Sequence, residues 1–228
     1  MIAAEDREPP HSSIPARIAL AGIPWDENSS YLRGTSEAPP LIRAALFSEA
    51  SGLRSESGVE FEPDVFVNAG DVPTRSGVEM LEEIEGFIFA LLGRDLSPIC
   101  LGGDHAVSYP IVKAFSRKYP DLAILHFDAH SDLYDIFEGN RYSHACPFAR
   151  IMEEGLARRL VQVGMRTLNR HQRAQADKFG VEMVEMKDWG EGRVFAFDGP
   201  VYISIDLDAL DPAFAPGVSH QEPGGLST

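Results

Sequence analysis

Residues 123–132 read Ala123-Ile124-Leu125-His126-Phe127-Asp128-Ala129-His130-Ser131-Asp132, an apolar run that ends in three ionisable side chains separated by small residues. The first half has the composition of a strand buried on both faces, as a parallel sheet covered by helices requires. If the chain stays extended through the second half, the two-residue period of a strand sends Asp128, His130 and Asp132 to one side. Three such groups at the end of a buried strand repel and desolvate one another, because a buried carboxylate is costly unless it is paired. A cation resolves that conflict. The competing reading is a solvated acidic loop.

The same design occurs twice more. Leu101-Gly102-Gly103-Asp104-His105 follows the apolar run 98–101, and its paired glycines permit a tight turn that delivers a histidine. Alone, that segment reads more readily as a Gly-Gly turn with a hydrogen-bonded histidine. Val201-Tyr202-Ile203-Ser204-Ile205-Asp206-Leu207-Asp208-Ala209-Leu210-Asp211-Pro212 delivers Asp206 and Asp208 to one side by the strand period, while Asp211, ahead of a proline, reads as a turn or cap residue. Open α/β sheets place their binding crevice at the carboxyl ends of strands, where all three segments put their polar groups. The candidate metal ligands are therefore His105, Asp128, His130, Asp132, Asp206 and Asp208. Carboxylate oxygens with a little imidazole favour Mn²⁺, ahead of Mg²⁺, Fe²⁺, Co²⁺ or Ni²⁺, over a thiolate-rich zinc site.

Around these segments, short apolar runs at 17–23, 64–68, 98–101, 122–127, 160–164, 181–186 and 200–205 alternate with stretches of helical period. The clearest is 79–92, where Met80, Ile84, Phe87, Ile88 and Leu91 share one stripe; 109–119 and 148–158 also read as helices, and 52–63 as a surface connection. That alternation predicts a single α/β domain with a mostly parallel sheet, over residues 16–228, after a polar leader at 1–15. A formal net charge of −15 disfavours nucleic acid and suits a small cationic substrate, although acidity also serves solubility alone. Cys100 and Cys146 show neither a disulfide framework nor zinc spacing. The leader carries Glu5, Asp6 and Glu8 and no basic stretch before an apolar run, so the expectation is a cytoplasmic protein without a membrane partner.

Gly102-Gly103-Asp104-His105, Asp128-Ala129-His130-Ser131-Asp132 and Ser204-Ile205-Asp206-Leu207-Asp208-Ala209-Leu210-Asp211-Pro212-Ala213-Phe214-Ala215-Pro216-Gly217 together resemble the signatures of the ureohydrolases, the arginase and agmatinase family, in the family's order and at comparable separations. The resemblance runs from about residue 17 and implies a three-layer α/β/α fold. It implies two Mn²⁺ per chain, one held by His105, Asp128, Asp132 and Asp206, the other by His130, Asp128, Asp206 and Asp208. It further implies hydrolysis of a guanidino group to urea and an amine, L-arginine to ornithine or agmatine to putrescine, in a homotrimer or hexamer. His144, in Gly139-Asn140-Arg141-Tyr142-Ser143-His144-Ala145, matches the family histidine that passes a proton to the leaving amine, and Asp132 would orient the nucleophile.

The stretch 137–152 is most similar to plant-type arginases and their bacterial relatives, with Ala145 where agmatinases often have glycine. Asn140 falls in the loop that meets the far end of the substrate in the family, though Asn after Gly is also a good turn former. His126 reads as a core histidine, His220 as bordering the pocket entrance, and Glu138 and Glu222 as turn and surface charges. The family pattern continues past the last residue, Thr228, with a helix and strand that bring a carboxylate to the guanidinium, so the fold is expected to be C-terminally shortened. Two further readings stay open: a metal-binding fragment or assembly subunit without turnover, and a single-metal amide hydrolase of the deacetylase type.

Overall fold

Seven strands run parallel in the computed structural model, which describes residues 18–61, 65–190 and 192–228; the leader at 1–15 lies outside them. β1 (Ile18–Ile23), β2 (Phe66–Asp71) and β3 (Ser97–Gly102) pair in the order β2-β1-β3. β4 (Ala123–Phe127), β5 (Arg159–Met165), β6 (Glu182–Glu185) and β7 (Val201–Ile205) pair in the order β6-β5-β4-β7. Parallel neighbours need crossover connections, and helices supply most of them: α1 (Ala38–Leu46), α2 (Gly77–Gly93), α3 (Ser108–Lys118), α4 (Pro147–Glu153) and α5 (Arg170–Phe179).

The stripe expected on α2 is the one buried: Met80, Ile84, Ile88 and Leu91 join Ala19, Ala21 and Ile23 of β1 and Ile111 and Val112 of α3 in the main core. The helix expected over 148–158 stops at Glu153, because the chain leaves it through Gly155 at φ 64, a left-handed conformation that glycine adopts without strain. The strand expected at 64–68 begins at Phe66 and runs on to Asp71; residue 64 lies outside the described residues.

The other face of the second sheet is covered differently. Register aligns Val161, Leu125 and Ile203 in one row and Val163, Phe127 and Ile205 in the next. Trp189, Phe195 and Phe197 of the irregular segment after β6 cover the β5 end of those rows, whereas Ile203 and Ile205 at the β7 end are 58% and 64% exposed. Among the described residues β3 and β7 each pair along one edge only. They are tied beyond the carboxyl end of β3, where His105 Nε2 meets Ser204 Oγ of β7 at 3.1 Å. No helix among the described residues is long and apolar enough to cross a membrane.

Candidate metal centre

The site begins where β3 ends. A Cβ on Gly103 would lie 1.9 Å from the Trp25 carbonyl oxygen, so only glycine lets the two backbones approach, and Asp104 N donates to that same oxygen at 3.0 Å. Asp104 Oδ1 then accepts from Ala106 N at 3.0 Å and caps the single 3₁₀ turn His105–Val107, while Oδ2 accepts from Asn28 N at 2.9 Å. This anchorage aims the His105 ring. Its Nδ1 is buried and makes no hydrogen bond, yet it faces Asp132 Oδ2 at 3.0 Å, Asp128 Oδ2 at 3.1 Å and Asp206 Oδ2 at 3.4 Å.

The convergence of the other ligands arises from turns, which corrects the extended-chain expectation. β4 stops at Phe127, the chain bends at 129 and 130, and Asp132 sits at φ 50. The cause is local: Asp128 Oδ1 accepts from His130 N at 2.6 Å, so the carboxylate folds the chain back on itself as an Asx turn. The same happens after β7, where Asp206 Oδ1 accepts from Asp208 N at 2.9 Å and opens the 3₁₀ turn Leu207–Ala209 in place of two further strand residues. Asp208 Oδ1 in turn accepts from Ala129 N at 3.2 Å, and Asp208 Oδ2 lies 3.1 Å from His130 Nδ1. His130 Nδ1 is also 3.3 Å from Asp128 Oδ1. All six predicted ligands thus meet in one place, with Asp128 between the two imidazoles.

Without a cation this arrangement stores proton affinity. Burial, followed by the charge of Asp128, pushes Asp132 and Asp208 up to about 6. Burial with the charges of Asp128 and Asp208 pushes Asp206 up to about 7. Burial also works against protonated His130, but hydrogen bonds to Asp128 and Asp208 outweigh it and raise the ring to about 11. His105 is raised in the same way, burial being overcome by Asp128 and Asp132. Crowding and burial make these carboxylates hold protons that isolated ones would release. An unpartnered imidazole nitrogen facing three carboxylate oxygens, beside a second imidazole facing two, is a donor set that fits a hard divalent cation.

Among the described residues, two groups of side chains offer ligand atoms close together: Asp128, His130 and Asp208, and His105, His126 and Asp128. His126 is fully buried, as expected of a core histidine, with burial pushing it down to about 4. His144 has its Nε2 2.8 Å from Ser30 Oγ and its ring stacked on His220, and burial followed by the charge of His220 lowers it to about 4. His220 also packs near Tyr31 and His130, with ring centroids 5.7 Å from each. Asn140 has both ends of its amide engaged, donating to Asn28 Oδ1 and accepting from Tyr142 N, each at 2.8 Å, in the turn that carries Glu138 and Gly139 at positive φ.

Sequence reasoning passed over two participants. Glu222 Oε1 lies 3.6 Å from His130 Nε2, and Arg166 holds the segment that bears it, donating to Glu222 O at 2.6 Å and to Asp208 O at 2.6 Å. No motif marks either residue, since both are placed by contacts some forty to ninety positions away in sequence.

Fold and site define a class: a parallel α/β protein with a carboxylate-and-imidazole pocket for divalent metal at the carboxyl ends of its strands. The chain belongs to the arginase family, whose profile matches residues 16–228. It is 47% identical over 229 residues to the mitochondrial arginase 1 of Arabidopsis thaliana, spanning 93% of this chain and 67% of that protein. It is 34% identical to an agmatinase of Bacillus cereus, spanning 93% and 75%. Among solved structures it resembles an arginase from Medicago truncatula with a TM-score of 0.85 at 43% identity, covering 94% of this chain and 73% of that one. The chain therefore spans about two thirds of the length of the plant relative.

Proposed function

We propose that this chain is a ureohydrolase that holds two divalent cations, Mn²⁺ by preference, and cleaves a guanidino group to urea and an amine. One observation carries the reading: Asp128 presents Oδ2 to His105 Nδ1 at 3.1 Å and Oδ1 to His130 Nδ1 at 3.3 Å, so a single carboxylate serves two imidazole positions. His105, Asp128, Asp132 and Asp206 would hold one ion, and His130, Asp128, Asp206 and Asp208 the other. When bound, such a pair lowers the pKa of a shared water enough to supply a nucleophile at neutral pH.

The rest falls to the chain's own side chains. Water oxygen bonds to the guanidino carbon, the bond from that carbon to the alkyl nitrogen breaks, and both water protons end on the amine. Asp132 would also accept a hydrogen bond from the nucleophile and orient it. His144, held by Ser30 and His220, would take a proton from the attacking water and hand it on to the departing nitrogen. The carboxylate of Glu222 beside His130 favours a cationic substrate.

L-Arginine is the first substrate we propose and agmatine the second, because the plant relatives named arginase are more similar to this chain than the Bacillus relatives named agmatinase. The family resemblance supports a homotrimer or hexamer. A second reading, a metal-binding assembly subunit without turnover, is favoured by the exposed Ile203 and Ile205 and by the β3 and β7 edges that pair with no strand among the described residues. The test is urea release by Mn²⁺-loaded protein from arginine, agmatine and shorter guanidino acids. Urea from one of them supports the hydrolase; metal bound with no urea from any favours the second reading.

A further inference from the structure

We propose that His126 and Gln162 are positioning residues that fix the carboxylate of Asp128 in a metal-bridging orientation before any cation arrives. The proposal rests on the metal reading above and begins with two polar side chains that an apolar sheet has no packing reason to hold. His126 of β4 and Gln162 of β5 are register partners, and both are fully buried.

Their hydrogen bonds admit one assignment. Gln162 Nε2 lies 2.6 Å from the Ser131 carbonyl oxygen, which can only accept, so the amide nitrogen must be on that side. The second amide hydrogen points at His126 Nδ1, 3.0 Å away. Nδ1 therefore carries a lone pair and the ring hydrogen is on Nε2. Nε2 lies 2.9 Å from Asp128 Oδ2 and donates to it. Phe148 lies against the imidazole with ring centroids 4.0 Å apart and planes 30° apart, and the same phenyl ring meets His105 edge-on at 5.4 Å. The chain of donors starts at Gln162, which also donates to the Ser131 carbonyl, and runs through His126 to the carboxylate; it leaves His126 no lone pair for a metal, although its ring lies close to ligand atoms of His105 and Asp128.

The arrangement leaves Gln162 Oε1 buried without a partner. A buried polar atom without a hydrogen bond calls for a reason, and the reason offered by the geometry is the other end of the amide. Asp128 now has a donor on each oxygen, His126 Nε2 on Oδ2 and His130 N on Oδ1. Each oxygen keeps a lone pair, that of Oδ2 toward His105 and that of Oδ1 toward His130. A carboxylate held this way has no rotational freedom to lose when ions bind, which is how outer hydrogen bonds raise metal affinity. Because His126 holds the oxygen that faces His105, its loss should fall hardest on the ion bound there.

Two measurements test this. In metal-free wild-type protein with ¹⁵N-labelled histidine rings, His126 is expected as the Nε2–H tautomer, and Gln162→Met should release that preference; an Nδ1–H tautomer overturns the assignment. By calorimetric titration with Mn²⁺, His126→Phe, which keeps a ring under Phe148 and removes the donor, should weaken binding by about tenfold to a hundredfold. The larger loss should fall in the step abolished by His105→Ala. Gln162→Met should weaken the same step by less, and it carries the test if the phenylalanine variant does not fold. Unchanged affinity in the variants that fold overturns the proposal. Wild-type protein that binds no Mn²⁺ would sink the metal reading, while the tautomer spectrum would still decide how Asp128 is held.

Discussion

The imidazole of His144 lies stacked on that of His220, with ring centroids 5.4 Å apart and planes 25° apart, while Ser30 Oγ holds its Nε2 at 2.8 Å. One face and one edge of the ring proposed to pass the proton are thus fixed by segments from opposite ends of the chain. His144→Ala is expected to lower kcat for urea formation by about a hundredfold or more, as loss of a general acid does, with the Mn²⁺ content unchanged. His220→Ala should cost about tenfold through lost orientation, and His220→Phe, which restores a stacking face, should recover most of it. Steady-state urea assays with elemental analysis check this, and an unaltered kcat in His144→Ala would remove the role assigned to that residue.

Acidity should set metal affinity. Asp132 and Asp208 are raised to about 6 and Asp206 to about 7, each by burial first and neighbouring carboxylates second. A raised folded pKa means that the native, metal-free chain binds these protons more tightly than the unfolded chain. Their contribution to stability is complete below about pH 4, the unfolded aspartate value, and is lost as pH rises through the folded values of about 6 to 7. Divalent ions compete for the same atoms, so Mn²⁺ should bind more tightly, with proton release, as pH rises through that window. The increase in Tm produced by Mn²⁺ should therefore be larger near pH 8 than near pH 5.5. An increase independent of pH would contradict the crowded-carboxylate account.

Arg166 joins the turn that carries Asp208 to the segment that carries Glu222, donating to the carbonyls of Gly164, Asp208 and Glu222 at 3.0, 2.6 and 2.6 Å. Arg166→Met should cost about 3 kcal/mol in chemical denaturation, since bonds from a charged donor are worth more than neutral ones and buried carbonyls would be orphaned. It should also weaken Mn²⁺ binding. A change of stability below about 0.5 kcal/mol, the scale of an ordinary surface substitution, would mean the clamp is incidental.

Two glycines should respond with opposite sign. Gly103→Ala drives a methyl group into the Trp25 backbone and should destabilise by at least about 1–3 kcal/mol, the scale of overpacking. Gly86, inside α2, has open space where a Cβ would stand, so Gly86→Ala should stabilise by about 0.5–1 kcal/mol through helix propensity. Denaturant midpoints measure both, and equal effects would show that the close approach at Gly103 is relieved without cost.

What was legible in the sequence follows the physics of each signal. Strands β1, β3, β4, β5 and β7 announce themselves because burial on both faces leaves continuous apolar runs, and the six ligands are visible because carboxylates and histidines at the ends of such runs have few structural excuses. α1 went unread because its first turn carries Pro39 and Pro40, which are tolerated there but mimic loop signals. α5 went unread because Arg170-His171-Gln172-Arg173 shows no apolar stripe; its mark is the capping box between Asn169 and Gln172. The turns at Asp128 and Asp206 replace strand alternation because each carboxylate bonds a backbone N–H two residues on, which periodicity does not register. Gln162 was detectable in principle as a lone amide within the apolar strand Arg159–Met165; Glu222 and Arg166 were not, being placed by tertiary contacts alone.

The most direct test of the central claim is urea release from L-arginine and agmatine measured against the equivalents of Mn²⁺ added to metal-free protein. A two-metal ureohydrolase predicts activity that rises to a plateau at two ions per chain and is abolished by Asp128→Ala. Metal uptake that saturates at one ion, or two bound ions with no urea from either substrate, would contradict it.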